Sequence, residues 1–221
     1  MGKMEIEKNK ALRRVLRRLL ALEDRVKGVA FPAMKRVRQI DVYSCGPAVV
    51  SALFTFLGIK VSQKRVIASL RAQNKIRSVG LNVKDLARAT SAVSNGNFVF
   101  WKKQGGRISE VATIIDKYKF PVGVEWQGVF YEDEDEDNGH YGIITEVDKS
   151  VGYLRMADSF SKFAGVDRRF RIKDFEKRWW DQNEVRVEGT SRKRTITDKK
   201  MLFVITPKNA SWPGKLGMKK I

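Results

Sequence analysis

Residues 39–48 read Gln39-Ile40-Asp41-Val42-Tyr43-Ser44-Cys45-Gly46-Pro47-Ala48, and Val49, Val50, Leu53, Phe54 and Leu57 follow at helical spacing until Gly58. Ser44 suits a helix cap, Pro47 the first turn and Gly58 the end. A helix apolar over so wide a face belongs in a core. Cys45 therefore stands at a buried helix start, where unpaired backbone N–H groups and the helix dipole favour a thiolate.

The rest of the chain bounds what that cysteine can do. With 43% hydrophobic residues in 221, the sequence supports a packed core, which excludes global disorder. One cysteine permits no intramolecular disulfide, and one Cys with one His cannot fill a structural zinc site. No metal and no cofactor are expected. A single thiol suits a reducing compartment, so a cytoplasmic or otherwise intracellular setting is expected. No transmembrane segment is read, because no stretch reaches the roughly 18 apolar residues a span requires. The basic amino-terminal stretch is cut by Arg17, Arg18, Glu23 and Asp24 and does not read as a secretory signal.

The net charge of +19 is uneven. Residues 1–38 hold 12 Lys/Arg against 4 Asp/Glu, residues 186–221 hold 10 against 2, and the middle is close to balanced at 22 against 19. Basic character lives at the ends, where weak contact with polyanions is expected. Glu5–Lys27 reads as an amphipathic helix with Leu12, Leu16 and Leu19 on one side and Arg13, Arg17 and Arg18 on the other. The expected organisation is a basic helical extension over 1–38, one domain over 39–206 and a basic tail over 207–221.

After the Cys45 helix, further helices are predicted at about 62–73, 82–93 and 109–118, opened by Ser62, Asn82 and Ser109. The texture then turns to short β-rich runs at Asn97–Trp101, Val122–Trp126, Tyr141–Val147, Val151–Met156 and Met201–Ile205, with a short helix over Asp174–Trp180. The fold class is α+β, a helical amino-terminal half packed on a mainly antiparallel sheet.

Nucleophilic thiol chemistry needs a thiolate, a base, a group that orients the base, and donors for the oxyanion. The sequence offers one candidate for each. Cys45 is the nucleophile, and His140, the chain's one histidine, stands at a strand mouth as the base. Asp158 ends the next strand, where it can accept the imidazole N–H. Gln39 precedes Cys45 and can donate to an oxyanion beside the Cys45 backbone N–H.

These residues carry a family resemblance. The segment from Gln39 to Ala48 resembles the catalytic-cysteine segment of the bacteriocin-processing double-glycine peptidases, within the papain-like group. Gly139-His140-Tyr141-Gly142-Ile143-Ile144 resembles their histidine strand, Met156-Ala157-Asp158-Ser159 their acidic segment, and Asp174–Trp179 the helix after it. The resemblance covers roughly residues 39–180 and implies a papain-like cysteine peptidase acting on a peptide or protein substrate through a thioester. It implies Gln39 as oxyanion donor, Cys45 as nucleophile, His140 as base and Asp158 as orienter. Ser44 stands where an acid often precedes the cysteine, and Ser159 replaces the usual proline.

Other readings compete. An acyl or amide transferase would use the same acyl-enzyme. A catalytically silent scaffold could bind polyanions or an assembly partner through the basic ends, but binding alone needs none of the four residues. The run Glu132–Asp137 is either a solvated loop or an acidic lip that recruits basic substrates; it lacks the glycine and glutamate positions of a calcium loop. Gly105-Gly106 reads as a turn rather than a self-cleavage signal. Trp179-Trp180 reads as packing.

Overall fold

Cys45 is the first residue of helix α1 (Cys45–Phe56), in which every residue from Gly46 to Phe54 is buried. Such a helix has no solvent side, and its neighbours supply a wall for each face. Helices α2 (Gln63–Ser69) and α3 (Val83–Val93) pack against it, and so does the sheet. Their caps are the residues the sequence proposes: Ser62 accepts the Arg65 N–H at 3.2 Å and Asn82 the Asp85 N–H at 3.0 Å. Helix α2 stops at Ser69 rather than running to 73; Arg71, at a φ of 50°, has left the helix.

The computed structural model describes residues 30–71, 80–130, 139–186 and 192–221. The chain divides into two compact units, Met1–Ala30 and Phe31–Ile221, and all described residues except Ala30 belong to the second. The helix expected over Glu5–Lys27 and the acidic run Glu132–Asp137 lie outside the described residues.

A seven-stranded antiparallel sheet forms the frame. It contains β1 (Phe98–Lys103), β2 (Val122–Gln127), β3 (Gly139–Asp148), β4 (Tyr153–Asp158), β5 (Asp167–Arg171), β8 (Leu202–Pro207) and β9 (Lys219–Lys220), in the order β5-β4-β3-β2-β8-β1-β9. Strands β6 (Trp180–Arg186) and β7 (Lys193–Lys199) form a separate hairpin. The sheet is buried on both faces. On one, α1 to α3 pack with Phe100, Tyr141, Ile143, Phe203 and Ile205; on the other, α4 (Ile108–Asp116) and α5 (Ile172–Arg178) cover Val122, Val124, Ile144 and Met156. That two-sided burial explains why β8 reads as an apolar run from Leu202 to Ile205, and why all of β2 is buried even at Glu125 and Gln127.

Several expectations need correction. The domain edge expected at residue 39 falls earlier, because Met34 is buried and the Arg36 guanidinium forks onto both carboxylate oxygens of Asp167 at 2.8 Å. The expected basic tail is part of the fold. Helix α6 (Trp212–Lys215) stacks Trp212 on Tyr118 with ring centroids 4.4 Å apart, Met218 is buried, and β9 pairs with β1. Helix α4 opens at Ile108 after Arg107, whose N–H meets the Glu110 carboxylate, rather than at Ser109. Gly105, at a φ of 64°, makes the turn read from Gly105-Gly106. Trp179 is buried, with its indole N–H on the Met201 carbonyl at 2.8 Å.

Candidate active site

The loop before α1 is held by its own polar side chains. Ser44 occupies the N-cap position, yet its side chain caps nothing: its hydroxyl donates to Asp41 Oδ1 at 2.6 Å, and the Tyr43 N–H donates to the same oxygen at 3.0 Å. The charge-assisted bond holds the hydroxyl toward Asp41, and its oxygen accepts no N–H of the first turn. The first turn of α1 also carries no acidic residue. The N–H groups at its start thus meet no side-chain anion of their own helix, and the positive end of the helix dipole lies at Cys45. Gly46 lets this helix start lie tight against the sheet. A Cβ there would come within 2.9 Å of Leu86 Cδ2 and 3.4 Å of Tyr141 Cδ2.

His140 and Asp158, the expected base and orienter, come from adjacent strands. The β3–β4 ladder pairs Gly142 with Asp158, which puts His140 diagonally beyond the end of β4. His140 Nε2 lies 2.9 Å from Asp158 Oδ1, with the two side chains 3% and 0% exposed. The Cys45 side chain lies close enough to the imidazole to act on its protonation. With Nε2 committed to Asp158, Nδ1 is the nitrogen left for sulfur. Burial alone would push the imidazolium down; the Asp158 and Cys45 hydrogen bonds and charges outweigh it and raise His140 to about 9. Burial would likewise raise Asp158, but the His140 hydrogen bond and charge, with Arg168, hold it at about 2.

Asp158 has further partners. Its Oδ1 accepts the Phe160 N–H at 2.9 Å, and its Oδ2 accepts from Arg168 Nη1 at 2.6 Å. Phe130 meets the imidazole edge-on, with centroids 4.9 Å apart and planes at 85°, and stacks on Phe160 at 4.3 Å.

Gln39 is buried beside this group. Its backbone N–H donates to the Ser159 carbonyl at 2.9 Å, and its Oε1 accepts from Ser159 Oγ at 3.0 Å. Its Nε2 donates to the Asp41 carbonyl at 2.8 Å, which uses one of the two amide hydrogens. Strand β4 and the Cys45 loop are therefore stitched together through Gln39 and Ser159. Sulfur, imidazole and carboxylate thus lie in one row, the imidazole hydrogen-bonded to the carboxylate, the arrangement thiol-dependent acyl chemistry requires.

The model of the Peptidase_C39-like family matches residues 31–186, a stretch that contains Gln39, Cys45, His140 and Asp158. The chain belongs to the Peptidase_C39-like family. Among solved structures, this C39-like chain is similar to the peptidase domain of Streptococcus ComA, a bi-functional ABC transporter involved in a quorum-sensing pathway. The identity is 16% and the TM-score 0.51, over 78% of this chain and 97% of that one. The likeness bears on fold, and the fold is the papain-like α+β arrangement. No curated protein matches the chain.

Sequence reasoning missed the C39-like site's supporting residues. Arg168 belongs to Asp167–Arg171, a run too charged to read as a strand. Phe130 and Phe160 sit in loops where aromatic residues carry no periodic signal. A second buried polar group also went unread: Glu125, whose Oε1 accepts from Tyr141 OH at 2.6 Å and from Asn183 Nδ2 at 3.1 Å. Burial raises Glu125 to about 7 against the Tyr141 hydrogen bond.

Proposed function

We infer that the protein is a cysteine peptidase that hydrolyses peptide bonds through a thioester at Cys45. The observation that carries this reading is the buried His140–Asp158 hydrogen bond with Cys45 beside the imidazole, a row closed to solvent at its carboxylate end. His140 Nδ1 takes the thiol proton, and the sulfur attacks the carbonyl carbon of the scissile bond. The negative charge that moves to the carbonyl oxygen meets the Cys45 N–H and the second amide hydrogen of Gln39. As the tetrahedral adduct collapses, the C–N bond breaks and His140 passes its proton to the leaving amine. Water then attacks the thioester, His140 removes a proton from it, and that proton returns to the departing sulfur. The chain is regenerated with an acid and an amine as products.

An imidazolium that persists to about pH 9 is the counter-ion a thiolate needs at neutral pH. Asp158 accepts the Nε2–H hydrogen bond throughout, which fixes the tautomer and keeps Nδ1 toward sulfur. The substrate is a peptide or protein. The basic ends of the sequence add a surface for weak polyanion contact, which salt would abolish. Among the described residues, no helix is long and apolar enough to cross a membrane.

The test is a proteome-derived peptide mixture incubated with the wild-type chain and with Cys45→Ala. New amino termini that appear only with wild type support the reading. The same termini with both proteins would refute it.

A further inference from the structure

Arg168 is the residue around which the site closes. Its Nη1 donates to Asp158 Oδ2 at 2.6 Å and its Nη2 to the Val129 carbonyl at 2.7 Å. The guanidinium lies over the ring of Phe163, 3.6 Å from its centroid, and 4.8 Å from that of Phe170. The residue after Val129 is Phe130, whose ring meets His140 edge-on and stacks on Phe160. Phe160 in turn donates its N–H to Asp158 Oδ1. Contacts therefore run in a ring from His140 to Asp158, Arg168, Val129 and Phe130, and back to the imidazole.

We propose that Arg168 is a positioning residue of the peptidase reaction, holding the His140 ring from two sides at once. One side is the Asp158 carboxylate on Nε2; the other is the aromatic edge of Phe130, anchored through the neighbouring Val129 carbonyl. The inference rests on the cysteine-peptidase reading and adds a residue to it. Two donors of one planar, rigid fork reach two acceptors on separate segments, in a geometry that the guanidinium plane fixes and a flexible ammonium does not. Turning the imidazole away from sulfur would break the Nε2 hydrogen bond and the Phe130 contact together. Misplacing a reacting group by about 1 Å costs on the order of a hundredfold in rate, so the clamp acts on turnover rather than on substrate affinity.

Charge supplies a second, separable signature. Among the described residues, the charged or titratable groups that face His140 are Cys45 from α1 and Asp158 from β4, with Arg168 from β5 behind Asp158. Removing the Arg168 cation leaves Asp158 free to favour the imidazolium more strongly, so the ring titrates at higher pH. Because the chain holds a single histidine, its ring signals in NMR belong to His140 without assignment by mutation.

The experiment compares the full-length wild type, Arg168→Met and Arg168→Lys, on a peptide the wild type cleaves and in NMR titrations of the His140 ring. For Arg168→Met we expect kcat about ten- to a hundredfold lower, KM within about twofold, and a titration midpoint above that of wild type. For Arg168→Lys we expect the midpoint near wild type with kcat still reduced, because charge returns and the fork does not. Should Arg168→Met fail to fold, the Lys variant decides alone. Wild-type kcat in either folded variant, an unmoved midpoint in Arg168→Met, or full rescue of kcat by Lys overturns the proposal. Failure of the peptidase reading shows separately, as cleavage that survives Cys45→Ala, while the ring titration still reports whether Arg168 acts on His140.

Discussion

His140 Nε2 stands 2.9 Å from Asp158 Oδ1, and the register of two strands puts it there. Gly142 is paired with Asp158, so the histidine overhangs the end of β4 and reaches the carboxylate diagonally. Cys45 arrives from another direction, at the start of a helix buried against the same sheet. Strand register and helix entry together assemble a row of three side chains far apart in sequence.

The pair should leave a mark on stability. His140 rises from its ordinary 6.5 to about 9, so its contribution is complete below about 6.5 and is lost as pH climbs through 9. Asp158 falls from 3.8 to about 2, so its contribution is complete above 3.8 and is lost as pH falls through 2. Urea midpoints of wild type and Asp158→Asn should therefore differ most between pH 3.8 and 6.5 and draw closer as pH passes 9, where the Arg168 and Phe160 partners of Asp158 keep a residual difference. A difference that stays constant across this range contradicts the ion pair.

Gln39 is assigned to the oxyanion. Losing one such donor typically costs about a hundred- to thousandfold in turnover. Gln39→Ala should show that loss while Cys45 still alkylates with iodoacetamide at the wild-type rate. Ser159→Ala serves as the control, since it removes the bond to Gln39 Oε1 and leaves the amide nitrogen in place. If alkylation falls in step with turnover in Gln39→Ala, the glutamine holds the loop instead.

Glu125 predicts a stabilising substitution. Burial lifts its carboxyl from 4.5 to about 7, so stability declines as pH rises from 4.5 to 7 and is flat beyond. In Glu125→Gln the amide oxygen can still accept from Tyr141 and Asn183, and no charge remains buried. Glu125 Oε2 has no hydrogen-bond partner, so an amide nitrogen in its place forfeits no bond. We expect a higher melting temperature than wild type at pH 8 and a smaller gain at pH 5. Equal shifts at both values would refute the titration.

The carboxyl-terminal segment belongs to the core. Met218→Ala removes a side chain only 4% exposed and should cost about 2–5 kcal/mol in urea unfolding. A chain trimmed to 31–221 should melt well above one trimmed to 31–207, which loses β9, Met218 and the Trp212–Tyr118 stack. Equal melting of the two would return 207–221 to the status of a tail.

The helices and apolar strands were legible because burial leaves a period in sequence. Val49, Val50, Leu53 and Phe54 mark α1, and Val122 to Trp126 mark a strand covered on both faces. The candidates Cys45, His140 and Asp158, which the fold brings together, were legible through motif and rarity: one cysteine, one histidine, and an acid at the next strand's end. Strand β5 was hidden because Asp167-Arg168-Arg169-Phe170-Arg171 lies at the sheet edge, where aromatic rings and carboxylates hold its arginines instead of an apolar core. The β6–β7 hairpin was hidden likewise, its inward groups being Asp181 and Asp198 rather than aliphatic residues. Ser44 shows the limit of local rules. It has the right type and place for a cap, yet Asp41, three residues back, takes its hydroxyl.

The most direct measurement is turnover of one cleaved peptide by wild type, Cys45→Ala, His140→Ala and the double variant, each shown to be folded by circular dichroism. Residues that act as one unit lose activity together rather than additively. The account predicts that both single variants fall to background and that the double variant is no worse than either. Near-wild-type turnover by folded His140→Ala would contradict it.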